Sequence, residues 1–115
     1  MRDRDWKMFV ADMVGFCENV IKYTEGRDFE LFVNNRPIYE ATMWNLRLIG
    51  EAATNVPTSV RDANSRIEWQ DIIGLRHHLT HAYLTIDDEI IWKTIQTDIP
   101  QLLTELNMLL MSIGD

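Results

Sequence analysis

All three histidines of this 115-residue chain, His77, His78 and His81, fall within five consecutive positions. Arg76 stands immediately before them and Tyr83 shortly after. These residue types handle phosphate and protons. An arginine presents a planar fork of donors that matches a phosphodiester. A neutral imidazole can take a proton from a ribose 2′-OH, and an imidazolium can give one to a 5′-oxygen leaving group. RNA carries its own nucleophile, so such a set could cut it without a metal. His77 or His78 taken singly reads as an ordinary surface or core histidine. The five residues together read as a site.

The spacing says how a helix would present them. The stretch from Trp69 to Tyr83 has no Pro and one isolated Gly, so a helix is expected. At about 100° per residue, Arg76 and Tyr83 lie about 20° apart and share a face. His77 and His81 are neighbours one turn apart. Arg76 and His81 are about 140° apart, so one copy of the helix does not aim both at the same phosphate. Two copies related by a two-fold axis could, which points to a homodimer.

The rest of the chain reads as the scaffold. Residues 4 to 24 place Trp6, Phe9, Val10, Met13, Cys17, Val20 and Ile21 in one stripe, with Gly26 as the stop. Residues 28 to 34 suggest a short helix with Asp28 as its cap. Residues 37 to 55 form a second long helix opening at Pro37, with Ile38, Ala41, Leu48, Ile49, Ala52 and Val56 on one face. Asn45 falls in the same stripe, so it needs a buried partner. Glu51 is one turn from Arg47, which would make a plain surface pair. Residues 58 to 66 read as a polar connection with room for one turn of helix after Thr58 or Ser59, and with Arg61 and Arg66 as solvated charges that an RNA strand or a partner protein could reach. The histidine-bearing helix spans 68 to 84, with Ile72, Leu75, Leu79 and Ala82 inward. Asp87 or Asp88 caps a last long helix running to Ser112. Ile91, Ile95, Ile99, Leu102, Leu106, Leu109 and Ile113 repeat along it, and Pro100 should kink or divide it. No strand pattern is present. The expected fold is all-α, an up-and-down bundle of about four main helices in a single domain over residues 1–115.

Composition narrows the function classes. The formal net charge of −7 argues against a protein that coats nucleic acid, though not against a local positive cleft. One cysteine excludes an internal disulfide framework and suits a reducing cytoplasm. Cys17 sits among apolar residues and reads as buried filler. No cluster has zinc spacing, and no Cys or carboxylate near His77 and His81 completes a ligand set, so neither metal nor cofactor is expected. The chain opens Met-Arg-Asp-Arg-Asp and has no apolar run of membrane-spanning length, so a cytoplasmic protein without membrane attachment is expected.

Arg76, His77-His78-Leu79-Thr80, His81, Ala82 and Tyr83 together resemble the Arg-x4-His-x-Tyr motif of HepT-like toxins in the HEPN superfamily of helical ribonucleases. The resemblance runs from about Arg2 to Ile113. It takes in Glu68 to Arg76 before the motif, Ile49-Gly50-Glu51-Ala52 upstream, and Ile90-Ile91-Trp92 through Asp98-Ile99-Pro100 downstream. One departure is His77, where many relatives carry Asn. The resemblance implies an endoribonuclease toxin with Arg76 and His81 catalytic, in a cleft at a homodimer interface. It implies Glu51 as an orienting partner, while His77 and His78, beside Arg76 in the sequence, stand as candidate supporting residues on their type and position alone. It further implies a minimal nucleotidyltransferase antitoxin of the MntA type that attaches AMP to Tyr83, where added phosphate would pair with Arg76 and repel RNA. Two other readings use the same residues. One is a non-catalytic module that partners a nucleotidyltransferase, and the other is a purely structural helical dimer.

Overall fold

A computed structural model of the chain describes residues 3–81 and 86–113, with side-chain surroundings for 6–79 and 86–112. Every regular element among the described residues is helical. The long helices are α1 (Asp3–Thr24), α3 (Arg36–Ala53), α5 (Trp69–His81) and α7 (Ile99–Ile113), and the short ones are α2 (Phe29–Asn34), α4 (Thr58–Ala63) and α6 (Asp88–Lys93). The expected all-α fold with four main helices is therefore present. None of these helices is long and apolar enough to cross a membrane.

The local chemistry explains the boundaries. Leaving α1, the chain turns at Gly26, whose φ of 74° lies in the left-handed region that a Cβ disfavours. Asp28 caps α2 by accepting from the Leu31 N–H at 2.9 Å. Helix α3 starts one residue earlier than the Pro37 signal suggests. The Asn35 side chain accepts from the Ile38 N–H at 3.2 Å and caps it, leaving Pro37 second in the helix. Asp87, not Asp88, caps α6, through the Glu89 and Ile90 N–H groups.

Packing runs in the order α5, α3, α1, α7, each helix resting on the next. Because α3 has neighbours on both sides, its burial is wider than one stripe. Thr42, Asn45, Leu46, Ile49, Gly50, Ala52 and Ala53 are all buried, while Ile38, Ala41 and Leu48 are half-buried. Asn45 has the partner its burial demands: its Oδ1 accepts from the Asn19 amide of α1 at 3.0 Å. Cys17 is wholly buried, and burial first, then the nearby Glu18, pushes its thiol up to about 12. That suits packing rather than reactivity.

Pro100 divides the last helix in a particular way. Residues Thr94–Asp98 form a π-helical segment, and the Ile99 N–H donates to the carbonyl of Thr94, five residues back. The wider turn falls where Pro100 has no N–H to give and would crowd the carbonyl one turn earlier. Ile91, Ile95, Ile99, Leu102, Leu106 and Leu109 stay on one buried line through the change. At the start of this helix, the Tyr39 hydroxyl donates to Asp88 at 2.5 Å, and Trp92 stacks on Phe32 at 5.0 Å. Desolvation and that hydrogen bond raise the Tyr39 hydroxyl to about 12. These contacts join α2, α3 and α6 at one end.

Candidate functional site

Helix α5 is set by its approach to α3. A Cβ placed on Gly50 would lie 2.5 Å from the Arg76 Cβ, 2.7 Å from the Ile72 carbonyl oxygen and 3.0 Å from the Arg76 N. Two of those three atoms are backbone and cannot swing aside. Gly50 therefore admits α5 to its resting distance and decides where Arg76 sits. This role escapes a reading of the sequence. The available signal is that an isolated glycine inside a helix costs about 1 kcal/mol relative to alanine, and so needs a packing reason.

The next residue on α3 completes the arrangement. The Glu51 carboxylate accepts from Arg76 Nε at 2.6 Å. Both side chains are nearly half exposed, so the pair stabilises the fold by at most about 1 kcal/mol. Its effect is geometric: a carboxylate on Nε fixes the plane of the guanidinium. The expected Arg47–Glu51 surface pair is not formed. Arg47 lies over the Trp44 ring, 5.2 Å from its centroid, and Glu51 reaches across to α5.

The histidines divide by face. His78 is exposed and lines a cleft on the far side of α5 from Arg76, about 200° around the helix. His77 is exposed. His81 is the last residue of α5, so it shares a rigid element with Arg76, about 7.5 Å further along the axis. Its side chain, together with Ala82 and Tyr83, lies outside the described residues.

The cleft opens between α5 and the α6–α7 helix and has a volume of about 770 Å³. Ile49, Ile72, Leu75, Ile91, Ile99 and Leu102 form its floor; Glu68, Asp71, Asp87, Asp98 and Glu105 stand around it against Arg66. A concave space of this size invites assignment as the site. Its charge is wrong for RNA, because five carboxylates against one guanidinium repel a phosphate backbone. Ile72, Leu75 and Leu79 are half-buried and pack against the core from the inward side of α5, as expected, and Ile72 and Leu75 also line the cleft; Ile67 and Trp69 just ahead of them are buried. The Trp69 Nε1–H donates to the carbonyl of Asn64 at 3.0 Å and pins the approach to α5. Arg61 is another correction. It is half-buried and its Nε donates to the carbonyl of Val56 at 3.0 Å, so it braces α4 rather than standing in solvent. No group of three or more metal-ligating side chains occurs among the described residues.

What this arrangement can do is grip an anion on the α3 side of α5 through an oriented guanidinium. The model of the family described as "Ribonuclease HepT-like" matches residues 13–109. The chain belongs to the HepT-like ribonuclease family. It is similar to "Putative RNase MJ0125" of Methanocaldococcus jannaschii, with 30% identity over all of this chain and 99% of that one. "Putative RNase TTE0752" of Caldanaerobacter subterraneus subsp. tengcongensis is 38% identical over 75% of this chain and 77% of its own. "Probable ribonuclease HepT" of Thermococcus cleftensis is 31% identical over 86% of this chain and 90% of its own. No solved structure matches. The family and the names of these relatives support ribonuclease activity as the general class of function.

Proposed function

We propose that this protein is a metal-independent endoribonuclease and the toxin of a toxin–antitoxin pair. The observation that carries the reading is the Arg76 guanidinium, held in plane by Glu51 on the same rigid helix as His81, in a chain of the HepT-like family. In the proposed reaction the ribose 2′-oxygen attacks phosphorus and loses its proton to an imidazole. The P–O5′ bond breaks, and the departing 5′-oxygen takes a proton from an imidazolium. The products are a 2′,3′-cyclic phosphate and a 5′-hydroxyl. Arg76 pairs with the non-bridging oxygens as charge builds on them. One helix carries only one imidazole at the His81 position, set about 140° from Arg76, so two copies in a homodimer supply the base and the acid.

The decisive experiment is cleavage of RNA by purified protein with a chelator present. Wild type should cut and leave a cyclic-phosphate end, and His81→Ala should lose about two to four orders of magnitude in rate. Undiminished cutting by His81→Ala removes this mechanism. A wild type that cuts nothing leaves the non-catalytic partner module as the better account.

The regulation proposed centres on Tyr83, two residues beyond His81 in the sequence. AMP transferred to its hydroxyl by a minimal nucleotidyltransferase antitoxin would place phosphate against Arg76 and exclude RNA. Incubation with such a partner and ATP should add mass in units of AMP to the wild type and none to Tyr83→Phe. Equal gains on both proteins would refute the assignment.

A further inference from the structure

We infer that Trp44 and Arg47 form a nucleobase-stacking subsite for single-stranded RNA, on the exposed face of α3 that leads to Arg76. The inference rests on the ribonuclease reading and adds where the strand lies.

The four tryptophans are treated differently by the fold. Trp6 and Trp69 are buried, and Trp92 is half-buried against Phe32. Trp44 is 53% exposed. A single exposed aromatic is unremarkable by itself. Two further observations give this one a place. Its ring carries the Arg47 guanidinium 5.2 Å from the centroid, so an aromatic plane and a positive charge are presented together. Trp44, Arg47 and Glu51 also follow one another at three- and four-residue steps along α3. That spacing puts Trp44 and Glu51 within about 20° on the same face and about 10 Å apart along the axis. Glu51 is the residue that holds Arg76. The stripe therefore runs from an indole, past a guanidinium, to the group proposed to grip the scissile phosphate, a span a strand crosses within a few nucleotides.

The charge pattern selects the ligand. In a chain of net charge −7, this stripe and the Arg76 it leads to set two guanidiniums against the one Glu51 carboxylate beside an aromatic ring, whereas the cleft on the other side of α5 sets five carboxylates against one guanidinium. Bases stack on aromatic side chains with little regard to sequence, and nearby cations hold the backbone. Single-stranded RNA has both the bases and the charge.

The probe is a 2′-O-methyl oligoribonucleotide, which lacks the attacking hydroxyl and stays intact. Its binding should shield Trp44 from acrylamide quenching. Trp44→Ala should weaken its affinity about tenfold or more, while Trp44→Phe keeps most of it. In cleavage assays Trp44→Ala should raise KM for long RNA more than for a dinucleotide, which covers less of the stripe. Unchanged affinity in Trp44→Ala overturns the subsite. So does a loss of affinity that accompanies a change of oligomeric mass, since Trp44 would then be a contact between protein copies. If wild type cuts long RNA but Trp44→Ala binds normally, the subsite alone fails. If wild type cuts no RNA, the ribonuclease reading fails and the subsite with it.

Discussion

Arg76→Ala should yield a folded protein that cuts RNA about two to four orders of magnitude more slowly than wild type. The structure separates the two halves of that statement. Alanine keeps the Cβ that packs over Gly50, so the seat of α5 on α3 is preserved. The abandoned Glu51 is nearly half exposed, so no buried charge is stranded. Thermal stability should change by less than about 1 kcal/mol. What is lost is the guanidinium itself. Lysine should not restore it, because a point charge cannot reproduce a planar fork. Glu51→Ala should fall between, about ten- to a hundredfold down, because the guanidinium stays but is no longer held in its plane. Thermal melts and single-turnover cleavage on the three proteins check the ordering. A Glu51→Ala enzyme as fast as wild type would show that the ion pair does not position Arg76.

The second large effect is structural and concerns two glycines that the sequence alone does not rank. Gly50→Val should lower the melting temperature by roughly 10 °C or more and abolish cleavage. Its branched side chain would meet the Ile72 carbonyl and the Arg76 backbone, and overpacking of this kind costs about 1–3 kcal/mol or more. Gly50→Ala should also destabilise, by less, since a gain of about 1 kcal/mol in helix propensity offsets part of the clash. Gly74 on α5 is the control: nothing lies within 4 Å of a Cβ built there. Gly74→Ala should stabilise by about 0.5–1 kcal/mol and spare activity. If both alanine variants shift stability in the same direction, close approach at Gly50 is not what seats α5.

Particular residues show how far the sequence reaches. The stripes of α1 and of the last helix are stated by periodicity alone, because each faces one continuous core; Val10, Met13, Cys17 and Val20, and Ile95, Ile99, Leu102, Leu106 and Leu109, are buried as expected. Asp28 and Gly26 are equally legible, since cap chemistry is local. Periodicity also finds the inward side of α5, where Ile72, Leu75 and Leu79 pack against the core, but how completely they are covered depends on distant helices out of reach of local pattern. The same limit hides Gly50, whose meaning lies in the backbone opposite. For Glu51, spacing on its own helix suggests Arg47, while the partner it takes is on α5. Arg76 and His81 stand out by residue type and share α5 as expected, whereas Tyr83 and Ala82 fall outside the described residues.

Helix α5 leans on α3 along one side and borders an open cleft along the other. Such an element is a cantilever: its attachment is a fraction of what secures α1 or α3, each gripped from two directions. Regions with few enclosing contacts open at lower free energy than the molecule as a whole. Heat or denaturant can therefore free α5 before the rest of the molecule unfolds, lifting Arg76 and His81 off together as one piece. Anything that braces the cleft, at a distance from either residue, would hold α5 in its seat.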